Sequence, residues 1–166
     1  MRWPPAFAPP TRRDAMTPQN LVQELGQRLG ITLTLDQAGL ARLMIDNTLP
    51  VDFEHDESGD RLLVYSTLGI TPLGEERETV FADLLSANLF GAELGPCSPA
   101  LDMVRDELLL WFALDEQSDI DGAMKALENL VAQTEHWRSR IASGGDDLAS
   151  SGAPTPNGNL DNFILA

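Results

Sequence analysis

Residues 79–91 read TVFADLLSANLFG, and their apolar positions are the strongest structural signal in the chain. Apolar side chains recur there at offsets of three and four residues, which is the period of an α-helix. The positions that follow this period are Val80, Phe81, Leu84, Leu85, Asn88 and Leu89. A helix with so wide an apolar face usually packs against more than one neighbour. The stretch therefore predicts a helix whose contacts extend beyond one small sheet.

The segments before this helix predict a first helix and a three-stranded meander. Thr17 followed by Pro18 is typical of an N-cap and a first helical position, and Gly30 is typical of a helix end. Three strand-like runs follow, at residues 40–46, 49–55 and 61–68. Their alternating apolar side chains predict antiparallel hairpins with one clearly apolar sheet face.

The segments after the central helix predict two strands and a last helix. Gly91 ends the central helix, and the strands are expected at residues 100–105 and 107–114. Ser118 with Asp119 and Asp121 marks the start of a helix that reaches residue 142. The strand at 107–114 is apolar on both faces, so we expect it to be buried on both sides. The resulting order is helix, three strands, helix, two strands, helix. Segregated strands and helices of this kind favour an α+β sandwich.

Both ends of the chain differ in composition from this domain at residues 17–142. Residues 1–16 carry four prolines, which predict a disordered extension. Because Met16 directly precedes the first helix, the true start of translation could also lie there. Residues 143–166 are rich in Gly, Ser, Pro and Asn, which predicts a flexible tail.

Charge and cysteine content exclude several classes of function. The 166 residues include 26 acidic and 11 basic side chains, for a net charge of -15. A surface this acidic disfavours nucleic acid and anionic membranes, which need clustered Lys and Arg. No apolar run is long enough to predict membrane insertion. Cys97 is the only cysteine, so neither an internal disulfide nor a cysteine-held zinc is expected, which suits a reducing cytosol.

Catalytic and metal-binding motifs are not recognisable in the sequence. We find no phosphate-binding glycine loop and no nucleophile elbow, and both His55 and His136 are expected to be solvated. The acidic run at residues 52–60 resembles a calcium loop, but Tyr65 stands where that loop needs a bidentate Glu, so a hairpin turn is favoured. We therefore expect no enzyme activity, no metal and no cofactor. A small hydrolase with an unrecognised carboxylate pair is the remaining catalytic alternative.

Six segments, in order, resemble the class I chaperones of bacterial type III secretion, the CesT-like (Tir chaperone) family. They are NLVQELGQRLGI from residue 20, LDQAGLARLMID from residue 35, LPVDFEHDESGDRLLVYSTLGITP from residue 49, DLLSANLFG from residue 83, ELLLWFALDEQ from residue 107 and ALENLVAQTEHWRSRI from residue 126. Each alone is an ordinary helix or hairpin sequence. Their order and spacing make the resemblance specific.

The resemblance implies a small homodimer in the bacterial cytoplasm that has no enzyme activity. Such a dimer binds an extended N-terminal segment of a secreted effector and keeps the effector secretion-competent. It also makes the secretion ATPase a candidate partner. The alternative is a non-enzymatic adaptor of the same fold that sequesters a regulator of secretion or transcription.

The resemblance also implies two sets of site residues. The effector-binding set is Leu25, Leu29, Leu43, Ile45, Val51, Phe53 and Leu63, although an ordinary place in the core is an equally good interpretation of each. The dimer-interface set is Phe81, Leu84, Leu85, Leu89 and Trp111. The C-terminal tail is either a disordered appendage or a segment whose residues 162–165 occupy a groove when no effector is bound.

Overall fold

The first helix, α1, begins and ends at the predicted residues. The computed structural model describes residues 17–143 and a short strand at 163–164. Helix α1 spans Pro18–Leu29, and the Thr17 hydroxyl accepts a hydrogen bond from the Asn20 N–H at 3.2 Å. Gly30 ends the helix in the left-handed conformation, with a φ of 72°. These caps satisfy backbone groups that the helix ends would otherwise leave unpaired.

A six-stranded antiparallel sheet forms the centre of the fold. Its strands are β1 (Leu40–Ile45), β2 (Leu49–Asp56), β3 (Arg61–Ile70), β4 (Ser98–Asp102), β5 (Glu107–Leu114) and β6 (Phe163–Ile164). Their order across the sheet is β4-β5-β3-β2-β1-β6. The predicted meander is therefore confirmed as β1, β2 and β3, and β5 pairs with the far side of β3.

Two strand boundaries differ from the predictions. Strand β3 continues to Ile70 across a register shift between Thr67 and Gly69, which lets its last residues keep pairing with β5. Strand β4 lies earlier than residues 100–105, at Ser98–Asp102. The Asp102 carboxylate accepts hydrogen bonds from the Val104 and Arg105 N–H groups, and these bonds turn the chain where a strand was expected to continue.

The other two helices are α2 (Glu75–Ala87) and α3 (Ile120–Ala142). Helix α2 ends before Gly91, because a 3₁₀ turn occupies Leu89–Gly91 and Phe90 in that turn has a φ of 53°. Helix α3 is capped by Asp119, one of the residues predicted to mark its start, since the Asp119 carboxylate accepts from the Gly122 N–H at 2.8 Å. The overall α+β order of elements is as predicted.

Helices α1 and α3 cover one face of the sheet and form the core with it. The largest fully buried side chains include Trp137, Phe53, Leu21, Leu25, Leu43, Leu62, Leu110, Leu127 and Leu130. Near the end of α3, the Arg138 guanidinium donates to the Thr67 carbonyl at 2.7 Å and to the Thr48 carbonyl at 3.2 Å. These bonds hold the last turns of α3 against β3 and the turn between β1 and β2.

The opposite sheet face is not covered by any helix of the described chain. Along β5, Leu108, Leu110, Phe112 and Leu114 point into the core, whereas Leu109 and Trp111 are half-buried and Ala113 is exposed. The prediction that β5 is buried on both sides is thus wrong for a single copy of the chain. The alternating pattern was apolar on both faces, but α1 and α3 cover only one of them.

The predicted extension at residues 1–16 and most of the predicted tail lie outside the described residues. Their assignment as disordered or flexible segments therefore stays a prediction.

Candidate protein-binding surfaces

The first candidate surface is an apolar groove between α2 and the edge strand β4, which we call the α2 groove. Its volume is ≈ 160 Å³, close to the size of a cavity that holds one aromatic ring. The lining residues are almost entirely apolar: Phe81, Leu84, Leu85, Pro99, Ala100, Leu101 and Leu108. This composition suits an apolar side chain from another molecule.

Exposed apolar residues lie on α2 and in the turn just after it, and one of them, Leu85, lines the α2 groove. Leu85 is 67% exposed, Leu89 is 59% exposed and Phe90 is 97% exposed. Val80, Leu84 and Ala87 of α2 are buried in the core of the same chain, and Leu84 also forms part of the groove lining. The wide apolar face predicted for this helix is therefore half used by its own chain and half uncovered.

The second candidate surface is the uncovered side of the sheet, which we call the outer sheet face. Side chains alternate along β3 and β5, so Leu63, Tyr65, Leu109 and Trp111 share this face, and Tyr65 lies opposite Trp111 in the register. They line a shallow groove of ≈ 330 Å³. Ala100 of β4 lines this groove and the α2 groove, so the two surfaces adjoin.

Charged and hydrogen-bonding groups border the apolar part of the outer sheet face. The Tyr65 hydroxyl donates to the Glu54 carboxylate at 3.3 Å. Burial raises the pKa of Tyr65 to about 12, and the negative charges of Asp52 and Glu54 add to this effect. Arg42 donates to both oxygens of Asp52, at 2.6 and 3.0 Å. The face therefore offers an apolar strip with paired charges along one side.

The residues predicted to bind an effector fall into two groups in the structure. Leu29 at the end of α1 is partly exposed, and Leu63 lies on the outer sheet face. The other five predicted residues, Leu25, Leu43, Ile45, Val51 and Phe53, are buried between the sheet and the helices. Their side chains serve the core in this structure, and a role in effector binding stays a prediction for all seven.

The residues predicted for the dimer interface lie on both candidate surfaces. Phe81, Leu84 and Leu85 line the α2 groove, and Leu89 is exposed in the turn just after α2. Trp111 is separate from them, on the outer sheet face with Leu63. The structure thus places Trp111, from the predicted dimer-interface set, in the same groove as Leu63, from the predicted effector-binding set.

Sequence reasoning missed several residues of the α2 groove. Pro99, Leu101 and Leu108 come from β4 and β5, far from α2 in sequence, and no local pattern connects them to it. Phe90 was also missed, because it does not lie three or four residues from the apolar positions that define the helical period. Its position follows from the 3₁₀ turn after α2, which the apolar periodicity did not predict.

The groups considered earlier for catalysis or metal binding have structural partners. Asp56, in the hairpin turn between β2 and β3, accepts hydrogen bonds from Ser58 and Arg61, and these bonds lower its pKa to about 2. Burial raises the pKa of the Cys97 thiol to about 12, which disfavours the reactive thiolate. Within residues 17–143, no group of three or more His, Cys, Asp or Glu side chains is placed to hold a metal ion.

The fold and these two apolar surfaces define a small protein-binding α+β domain. Residues 20–138 match the sequence model of the Tir chaperone protein (CesT) family. This match covers most of the chain, and the protein belongs to the Tir chaperone (CesT) family. The resemblance deduced from the six sequence segments is therefore confirmed. A comparison with curated protein sequences gave no significant match.

Solved structures with the same fold include complexes of secretion chaperones. A chain of the ExsC–ExsE complex is 25% identical to this one, with 74% of this chain and 92% of that chain covered and a TM-score of 0.60. The Yersinia pestis type III secretion chaperone SycH, in complex with a stable fragment of YscM2, matches at 24% identity, 73% and 99% coverage and a TM-score of 0.57. A chain of the HopA1–SchA chaperone–effector complex is 19% identical, with 78% of this chain and 99% of that chain covered and a TM-score of 0.61.

These likenesses confirm the predicted secretion-chaperone fold, and they extend over nearly the whole length of the matched chains. In the part of the chain that the structure describes, no helix combines the length and apolarity needed to cross a membrane.

Proposed function

We propose that this protein is a type III secretion chaperone that binds the N-terminal segment of a secreted effector in extended form. The observation that carries the proposal is the family match over residues 20–138. The uncovered apolar surfaces support it, because exposed apolar patches usually mark a site where another molecule binds, and Leu63 and Leu109 lie half-buried on such a patch. Binding would keep the effector stable and secretion-competent.

The physical requirements of binding an unfolded segment favour a sheet-based site. Ordering such a segment costs about 2–5 kcal/mol of the gross interaction energy, so the chaperone must offer a large area. The outer sheet face offers apolar contacts around Leu63, and a sheet edge offers backbone hydrogen bonds by strand addition. The partly exposed Leu29 on α1 adds a contact on the helical side.

The five buried members of the predicted effector-binding set act indirectly in this proposal. Leu43, Ile45, Val51 and Phe53 hold β1 and β2 against the helices, and Leu25 holds α1. They therefore fix the position of the strands whose backbone and outer side chains meet the effector.

We also propose that the α2 groove is the two-fold dimer interface. Most homodimers use one self-complementary patch on each copy. Here the patch offers a groove of aromatic-ring size, the exposed side chain of Leu85 in its lining, and the exposed side chains of Leu89 and Phe90 just after α2. In a two-fold pair, each copy would insert its exposed apolar residues into the groove of the other.

Charge and context complete the proposed function. The net charge of -15 should speed the encounter with effectors whose binding segments are basic. The proposed site of action is the bacterial cytoplasm, with the secretion ATPase as a further partner and without catalytic activity. Turnover in a broad substrate screen would contradict the last point.

The function can be tested by recovering the partner from the native bacterium with the tagged full-length chain. The partner, identified by mass, is then purified and digested with a protease in the presence and absence of the chaperone. We expect protection of an N-terminal segment of an exported protein. A folded regulator as the main partner would instead favour the adaptor alternative.

Two matched variants connect this binding to the outer sheet face. Leu63→Asp places a charge in the proposed contact and should weaken binding by ~10-fold or more, as expected for an interface anchor. Leu73→Asp changes an exposed leucine in the loop before α2 and should have little effect. Equal affinities for both variants would contradict the assignment of the outer sheet face.

A further inference from the structure

The outer edge of β1 already carries a strand from the same chain. Phe163 pairs with Ile45 and Ile164 pairs with Met44, in antiparallel register. Strand β6 thereby becomes the last strand of the sheet on that side. An exposed sheet edge is the place where an extended segment of another protein can add backbone hydrogen bonds. In this chain the C-terminal segment occupies part of that place.

The pairing of β6 covers only one end of β1. Strand β1 has six residues, Leu40–Ile45, and β6 pairs with the last two of them. Among the described residues, no strand pairs with the remaining outer edge of β1, and Leu40 at its start is exposed. A longer incoming strand could therefore begin pairing at the open end and then replace β6.

The end of α3 lies near the end of β1 that β6 pairs with. The bond from Arg138 to the Thr48 carbonyl places the end of α3 next to the turn after β1, which is the end of β1 that β6 pairs with. Residues 144–162 connect α3 to β6, and a chain of this length can span ~60 Å when extended. The number of connecting residues is therefore sufficient for β6 to reach either end of β1.

The tail sequence is suited to this role. Residues 144–162 are mostly Gly, Ser, Asp, Asn, Ala and Pro, whereas residues 163–165 read FIL and form the longest apolar run of the tail. β-Branched and aromatic residues favour strands. Two residues of this run, Phe163 and Ile164, are the ones that pair with β1.

We propose that the C-terminal strand is a built-in competitor that occupies the β1 edge until an extended client segment displaces it. The inference rests on the proposed chaperone function, because the client is the effector segment. Its consequence is a lower apparent affinity for clients. If β6 is docked nine-tenths of the time, the affinity of a competing strand falls about 10-fold. Only a client that forms a longer pairing with β1 overcomes this loss.

The test uses the full chain with Phe163→Pro and Ile164→Pro together, which we call the β6 variant. Proline removes the N–H groups that strand pairing needs. Ser150→Pro with Ser151→Pro, elsewhere in the tail, is the matched control. The first measurement is hydrogen exchange at the Met44 and Ile45 backbone amides. The β6 variant should speed exchange at whichever of these amides faces β6 by ~10-fold, and the control should not. Unchanged exchange in the β6 variant would overturn the proposal.

The second measurement adds a synthetic peptide of residues 159–166 and follows its binding by NMR. A tether of this kind holds its end at roughly millimolar effective concentration, so a strand docked nine-tenths of the time should bind in trans with a Kd of ~0.1 mM. The peptide should bind the β6 variant about 10-fold more tightly than the unchanged protein. Equal binding to both proteins would mean that the edge is free and would overturn the proposal.

The third measurement compares the client recovered in the partner experiment. Its affinity should rise ~10-fold in the β6 variant and stay unchanged in the control. The exchange and peptide measurements involve no client, so failure of the proposed function would leave their results intact. Protection of β1 that increases with protein concentration would show pairing between two copies and would overturn the intramolecular form of the proposal.

Discussion

The covered and the uncovered apolar surfaces of this protein are made of neighbouring residues in the same elements. On β5, Leu110 is fully buried under the helices while Leu109 lies half-buried on the outer sheet face. On α2, Leu84 is 2% exposed and Leu85 is 67% exposed. Residues of one type, adjacent in sequence, therefore differ in what covers them. The comparison indicates that the covered residues complete the fold of one chain, whereas the uncovered residues are available to another molecule.

The largest expected difference between the two surfaces is at α2. Leu84→Asp would bury a charge without a partner, which costs more than about 4 kcal/mol and should leave the chain unfolded or insoluble. Leu85→Asp places the charge in solvent within one copy, so the fold should persist. We expect this second variant to be a soluble monomer, as measured by circular dichroism and light scattering.

Leu40→Asp is the matched control for Leu85→Asp, because Leu40 is an exposed leucine at the opposite side of the sheet. It should leave the dimer intact. If the unchanged protein were a stable monomer at micromolar concentration, or if Leu85→Asp stayed dimeric, the α2 groove would not be the dimer interface.

A smaller difference is expected between Leu110→Ala and Leu109→Ala on β5. Truncation of the buried Leu110 should lower the free energy of unfolding by about 2–5 kcal/mol, because it leaves a cavity. Truncation of the half-buried Leu109 should cost less than about 1.5 kcal/mol, since less apolar surface leaves contact. Urea unfolding at low protein concentration measures both. A loss at Leu109 as large as that at Leu110 would mean that the outer sheet face is covered.

Local signals explain which parts of the fold could be predicted from sequence. The Thr17 cap and Gly30 end of α1 act within one turn, so their residues sufficed to locate that helix. Alternation likewise located β1, β2 and β3. The end of β4 was missed because the hydrogen bonds of the Asp102 side chain, rather than apolar periodicity, determine it.

The candidate site was less predictable because periodicity does not identify what covers a face. Leu43 and Val51 share a face with each other, and their sequence could not say whether that face meets α3 or an effector. Family resemblance supplied two sets of residues, and five of the seven residues in the effector-binding set are buried in this structure. Pairing of β6 with β1 joins residues more than a hundred positions apart, which no local pattern encodes.

Phe90 offers a test of the uncovered surface with a modest expected effect. Its φ of 53° is costly for a residue with a side chain, by about 1–2 kcal/mol, and glycine removes that cost. Glycine also loses more chain entropy on folding, which offsets part of this gain. The free energy of unfolding of Phe90→Gly should therefore exceed that of Phe90→Ala by only ~0.5–1 kcal/mol. Both variants remove the exposed ring and should weaken the dimer alike, which sedimentation at several concentrations can measure.

Equal stability of the two Phe90 variants would mean that the left-handed conformation is absent in solution. A dimer unaffected by either variant would remove Phe90 from the proposed interface while leaving Leu85 as its test.

The smallest expected effect is in the titration of Tyr65 on the outer sheet face. The chain has a single tyrosine, so phenolate absorbance reports this residue alone. Burial, with the charges of Asp52 and Glu54, raises its pKa from 10.0 to about 12. The stabilisation linked to the neutral phenol is therefore complete below pH 10 and lost as the pH rises through about 12.

The folded protein should titrate with a midpoint near 12, and the urea-unfolded chain near 10. Tyr65→Phe should flatten the dependence of stability on pH in this interval, although exposure of the ring keeps the difference small. Because a bound partner would bury the ring further, client binding should raise the midpoint again. A midpoint near 10 in the folded protein would mean that the Tyr65 ring on the outer sheet face is more exposed to solvent than the structure indicates.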